Sequence, residues 1–192
     1  MWGNRLTKCL FFDFWHGYCF EIKKIYTNRL NIMISEKLQN AINEQIAAEM
    51  WSSNLYLSMS FYFETQGFGG FAHWMKKQSQ EELEHAYEMA DYISKRGGAA
   101  KVSKIDAVPH AWGSVLEVFE EVYKHECHVS ALIDKLVSVA HEEKDNATQD
   151  FLWGFVREQV EEEATAQGIV DKVKKAGEAG LLFLDSQLGA RK

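Results

Sequence analysis

Residues 71–96 read FAHWMKKQSQEELEHAYEMADYISKR. Phe71, Trp74, Gln78, Glu82, His85, Met89 and Tyr92 recur at alternating spacings of three and four, which places them on one face of an α-helix. At mid-length that face is broken by Glu82, and His85, three residues on, is its neighbour. A carboxylate and an imidazole on the stripe that should face a core are the feature to explain.

The same break recurs in three more segments. An earlier helix carries Ile42, Gln45, Glu49, Ser52, Tyr56, Met59 and Phe63 on one face, so Glu49 points inward. Downstream, Val115, Phe119, Val122, Glu126, Val129, Ile133 and Leu136 form an apolar row whose only charge is Glu126. The last row is Leu152, Phe155, Gln159, Glu162, Ala166, Ile169 and Val173, again with one carboxylate. One glutamate on an apolar stripe is more often a misread register than a ligand. Four at mid-helix are different: each unpaired carboxylate in a low-dielectric core costs several kcal/mol, and no Lys or Arg lies on these stripes. The neutralising cations are therefore expected from outside the chain. Two divalent ions match four glutamates in charge, and hard oxygen ligands with one imidazole nitrogen favour iron or manganese over copper or structural zinc.

Punctuation between these stripes sets the topology. The first helix is expected from the N-cap Ser35 to about Gln66, stopped by Gly67, Gly69 and Gly70, and the second from Phe71 to Arg96. Residues 97–113 include Pro109 and have no period; at ~3.3 Å per residue they reach roughly 55 Å, enough to travel the length of a 28-residue helix. Ser114 and Glu117 have capping-box spacing and open a third helix to about Glu143. After the polar link Lys144–Asn146, a fourth helix runs to about Ala176, and Gly177 and Gly180 set off a short apolar end, Leu181–Leu184. Short links within each pair and one long crossover between pairs predict an all-α four-helix bundle with a short fifth C-terminal helix.

Composition agrees. In 192 residues there is one proline, hydrophobic residues make up 46%, and the formal net charge of -7 argues against nucleic acid and leaves cations open. Cys9, Cys19 and Cys127 lack CxxC spacing, so neither a disulfide framework nor a cysteine metal cluster is indicated, and a reducing cytoplasm suits them. No apolar run is long enough to span a bilayer. Residues 1–32 carry eight aromatics without a sustained period; Asp13 and His16 interrupt the apolar stretch and no small-residue cleavage site follows, against a signal peptide. They read as an extension outside the core, with an upstream start codon as one origin, and residues 33–192 as the helical domain.

The four motifs together are specific. Ala48–Ser53, Gln80–His85, Tyr123–Glu126 and Glu158–Glu163 resemble those of the non-haem bacterial ferritins, a likeness covering nearly all of Met33 to Lys192. The resemblance implies a ferritin-like di-iron domain, a hollow cage of 24 subunits, and ferroxidase activity that oxidises Fe(II) with O2 or hydrogen peroxide and stores the product as mineral. It implies that Glu49, Glu82 and His85 hold one iron, that Glu126 and Glu162 hold a second bridged by Glu82, and that Gln159 lies beside the second. A third-iron site maps to Glu81, Glu158, Glu161 and Glu162, and Tyr56 matches the tyrosine near the centre, expected as a catalytic residue with a redox role, a hydrogen bond to a ligand carboxylate, or both. Haem-binding bacterioferritins fit less well, because Leu83 stands where they carry methionine and Thr165 where their second ExxH motif has histidine; no haem is expected. Trp153–Gly154 departs from the closest ferritins.

The residues alone leave two other readings open. One is a structural or partner-binding bundle with unoccupied carboxylates, which metal-dependent thermal stability would separate; the other is a di-iron oxidase of an organic substrate, which would form no mineral. His125 and His128 flank Cys127, but Glu121, Lys124 and Lys135 nearby mark that face as solvated. Glu142, Glu143, Asp145 and Asp150 read as a polar turn.

Overall fold

The computed structural model describes residues 33–191. The reading of residues 1–32 as an extension lies outside the described residues. All regular structure among the described residues is helical: α1 spans Glu36–Thr65, α2 Gly69–Lys95, α3 Val115–Glu142 and α4 Asn146–Leu188.

Local signals account for most ends. The Ser35 hydroxyl accepts from the Leu38 N–H at 3.2 Å, capping α1. Ser114 and Glu117 form both bonds of the expected capping box, with the Ser114 N–H 2.7 Å from Glu117 Oε2. Asp145 caps α4 through the Thr148 N–H at 3.0 Å and pairs with Arg96 at 2.8 Å, tying the α3–α4 turn to the end of α2. Two expectations shift. Gly69 and Gly70 do not serve as stops; they are the first turn of α2, which starts two residues before Phe71. Gly70 is needed there because a Cβ would lie 1.8 Å from the Asp185 carbonyl oxygen. The fourth helix also does not end at Ala176: helical structure resumes after Gly177, whose φ of 60° and ψ of -177° break the ladder and redirect the chain into the expected fifth helical segment.

α1 packs against α2 and α3 against α4, while α2 also meets α4 and α1 meets α3, so α1 and α4 lie on one diagonal and α2 and α3 on the other. The crossover runs along α1. Asn43 Oδ1 accepts from the Lys101 N–H at 2.7 Å near one end, and near the other Ser58 Oγ donates to the Pro109 carbonyl at 2.6 Å and Tyr62 donates to the Gly113 carbonyl at 2.5 Å. These bonds satisfy backbone groups of a segment with no regular structure of its own.

The interior consists of two apolar clusters with a polar belt between them. Tyr56, Met59, Phe63, Phe71, Trp74 and Phe119 belong to one; Ile42, Ile46, Met89, Ile133, Leu152 and Phe155 belong to the other. Fully burying side chains of this size contributes about 1.5–3 kcal/mol each. Between them lie Gln45, Glu49, Ser52, Gln78, Glu82, Glu126 and Gln159, every one buried.

Candidate metal centre

Each helix delivers one carboxylate to the belt because its three-four stripe is continuous on both sides of that residue, so apolar packing above and below holds the glutamate inward. Glu49, Glu82 and His85 come together: one ligand atom from each lies within 4.8 Å of the others. Gln45 Nε2 donates to Glu49 Oε1 at 2.8 Å, while Glu49 Oε2 is buried without a hydrogen-bond partner. An orphaned carboxylate oxygen facing a second carboxylate and an imidazole is a poor arrangement for stability and a good one for a divalent cation.

The other two carboxylates adjoin this cluster but are held by protein groups. The Tyr56 hydroxyl donates to Glu126 Oε1, and Gln159 Nε2 donates to Glu126 Oε2 at 3.2 Å. Glu162 Oε2 accepts from Gln78 Nε2 at 3.1 Å. These bonds fix the outer carboxylates without cancelling their charge.

Electrostatics show the cost of the belt. Burial first, then the charge of Glu82, pushes Glu49 up to about 8. Burial likewise raises Glu126 to about 7 against the opposing bonds from Tyr56 and Gln159, and raises Glu82 and Glu162. Tyr56 is fully buried and its phenol is pushed well above its ordinary value, so it stays a hydrogen-bond donor. Burial would lower His85, yet bonds to Glu158 and Glu82 outweigh it and lift the imidazole to about 11. Its Nε2 is 3.2 Å from Glu158 Oε1 and its Nδ1 3.6 Å from Glu82 Oε2. Without a metal ion, burial favours protons on these carboxyls and the carboxylates around His85 favour its imidazolium, so protons compete with cations for the belt. A metal ion must displace those protons.

The carboxylates assigned to a third site spread out. Glu158 is held by His85; Glu81 pairs with Arg191 at 2.5 Å; Glu161 is exposed and joins no ion pair among the described residues. Sequence reasoning missed Arg191, which stands 110 residues from its partner with no local pattern to link them. His125 also differs from expectation. Its ring is half-buried, with Nε2 2.8 Å from Ser52 Oγ and an edge-on packing against Tyr56, and burial lowers it to about 4. His128 is exposed. At the acidic turn Glu142 and Glu143 face Lys37 at 2.7 and 3.8 Å.

Comparison with known proteins agrees with this geometry. The ferritin-like domain family matches residues 39–176. A bacterial non-heme ferritin of Bacteroides fragilis (strain 638R) is 79% identical over 159 residues, 83% of this chain and 100% of the relative. The bacterial non-heme ferritin of Escherichia coli O6:H1 is 33% identical over 158 residues, 81% of this chain and 96% of the relative. Among solved structures, an open pore ferritin from the hyperthermophilic archaeon Archaeoglobus fulgidus superposes with a TM-score of 0.81 at 50% identity, covering 83% of this chain and 99% of the other. With four helices in the single-crossover arrangement, Glu49, Glu82 and Glu126 buried in the core and Glu162 half-buried beside them, the chain belongs to the ferritin family, in its bacterial non-heme branch.

Proposed function

We propose that this chain stores iron by oxidising Fe(II) at a two-iron centre in the middle of each bundle. The observation that carries the reading is the buried Glu49–Glu82–His85 cluster, whose ligand atoms lie within 4.8 Å of one another and include the unpartnered Glu49 Oε2. Glu49, Glu82 and His85 take one Fe(II). Glu126 and Glu162 take the second, with Glu82 as the shared carboxylate and Gln159 beside it. Four carboxylates against two divalent ions leave the belt neutral, and the same negative charge favours the trivalent product. Each Fe(II) gives up one electron. The pair together reduces O2 to hydrogen peroxide with two protons, or hydrogen peroxide to water.

Tyr56 acts on the centre by holding Glu126 through its hydroxyl. Its phenol is too weakly acidic in this setting to serve as a base. Glu81, Glu158, Glu161 and Glu162 supply an auxiliary site for a third iron beside the pair. Twenty-four such subunits enclose that mineral. No helix among the described residues is long and apolar enough to cross a membrane, and the reading suits a reducing cytoplasm, where Cys127 stays a thiol.

Aerobic addition of Fe(II) to the purified, metal-free protein, followed by sizing and iron counting, tests this. Rapid oxidation of two Fe(II) per subunit and retention of far more iron in a particle of cage size are expected. Oxidation no faster than in buffer, or iron that precipitates outside the particle, would refute it.

A further inference from the structure

Beyond the kink at Gly177 the chain returns to the bundle at one well-defined place. Asp185 Oδ1 accepts from the Phe71 N–H at 2.7 Å, at the start of α2, and the Asp185 carbonyl packs where Gly70 has no side chain. This brings the Arg191 backbone carbonyl within 2.8 Å of His73 Nε2 and its guanidinium 5.2 Å above the Trp74 ring. One guanidinium nitrogen donates to Gln78 Oε1 and the other lies 2.5 Å from Glu81 Oε2. Gln78 in turn donates to Glu162. Arg191 thus touches one carboxylate of the auxiliary site and reaches a second through a single amide.

Resting on the function proposed above, we propose that Arg191 is a tethered counter-cation for the auxiliary carboxylates, which a third divalent ion at Glu81 and Glu162 must displace. Two consequences follow from its geometry. A guanidinium carries its charge at every accessible pH, so it opposes a nearby metal ion permanently. By occupying Gln78 Oε1, it also turns the amide nitrogen toward Glu162 and withholds the amide oxygen from a cation. The pair is weak enough to exchange: the Glu81 side chain is 42% exposed, and partly solvated ion pairs are readily broken. Arg191 is a positioning residue that sets how tightly the third ion is held through Glu81 and Gln78, and it makes no contact with the first iron's ligands, Glu49, Glu82 and His85.

Calorimetric titration of Zn(II) into the assembled, metal-free protein reads this without iron oxidation. Wild type should take up two ions tightly and a third more weakly. Arg191→Gln should leave the step assigned to Glu49, Glu82 and His85 unchanged and strengthen the third roughly fivefold, an effect that shrinks as salt is raised. Arg191→Lys should remain near wild type, because it restores the charge. On a Glu81→Gln background the Arg191→Gln exchange should have no further effect. An unchanged third step in Arg191→Gln, or no third step in either protein, would overturn the proposal. Failure of Arg191→Gln to assemble, checked by sizing, would make Arg191 a strut for the fifth helical segment and overturn it equally. Absence of the two tight steps in wild type would instead count against the two-iron centre itself.

Discussion

Glu49→Gln is a nearly isosteric exchange at the most strained carboxylate of the belt, and it should stabilise the metal-free protein while disabling it. Glu49 is 1% exposed and its carboxyl is held at about 8 against an ordinary 4.5. Between those two pH values the folded chain keeps a proton that the unfolded chain has released. Stability therefore falls as pH rises through the window. The loss is about 3 kcal/mol at pH 7 and approaches about 5 kcal/mol above pH 8, at roughly 1.4 kcal/mol per pH unit. A glutamine at this position accepts the 2.8 Å bond from Gln45 with its oxygen and offers its amide nitrogen to Glu82, where Glu49 now has an oxygen without a partner. Denaturant melts of chelator-treated protein at equal subunit concentration, at pH 5 and pH 8, measure the effect. Wild type and variant should agree to within about 1 kcal/mol at pH 5 and diverge by several kcal/mol at pH 8, with the variant more stable. The variant should also lose the fast phase of Fe(II) oxidation. Parallel pH profiles in the two proteins would refute the claim that a buried, unpaired carboxyl at Glu49 limits stability.

Glu82→Ala removes the shared carboxylate and should abolish rapid oxidation of two Fe(II) per subunit, whereas Glu161→Ala, at an exposed position, should keep that phase and change only later turnover or the oxidant consumed; stopped-flow traces showing equal loss in both would remove the distinction between pair and auxiliary sites. Loading the pair site at pH 7 should release about two protons per subunit, mainly from His85 and Glu49, with a share from Glu126, and pH-stat titration with Zn(II) that records no release would contradict the protonated metal-free state. Leu182 and Phe183 are 69% and 70% exposed beside the buried Leu184, so Leu182→Glu with Phe183→Glu should leave helicity intact and weaken assembly as seen by sizing, while an undisturbed particle would mean that this apolar patch has no contact to lose.

Much of this protein can be read along the chain because its fold is built from periodic helices. The spacing of Ile42 to Phe63, or of Val115 to Leu136, determines which face is buried, and a glutamate within such a row is carried inward by its neighbours whatever else is nearby. Capping at Ser35 and Ser114 is equally local, since donor and acceptor stand within one turn. The crossover followed from length alone. Local rules misplaced the glycines: Gly69 and Gly70 look like stops but open α2, and at Gly70 the absence of a side chain is required by Asp185, more than a hundred residues away. Only the tertiary structure decided how the carboxylates are shared out. Periodicity shows that Glu82, Glu126 and Glu162 face inward; it does not show that Tyr56 and Gln159 hold Glu126, that Gln78 holds Glu162, or that His85 is clasped by Glu158 as well as Glu82. Apart from Glu82, three residues before His85 on α2, these partners lie on different helices, so no spacing along one helix encodes them. The same holds for Arg191, which meets Glu81 because a left-handed glycine at 177 and a glycine without a side chain at 70 let the chain fold back onto the start of α2. Helical stripes are a property of neighbours in sequence, and charge balance in a core is a property of neighbours in space.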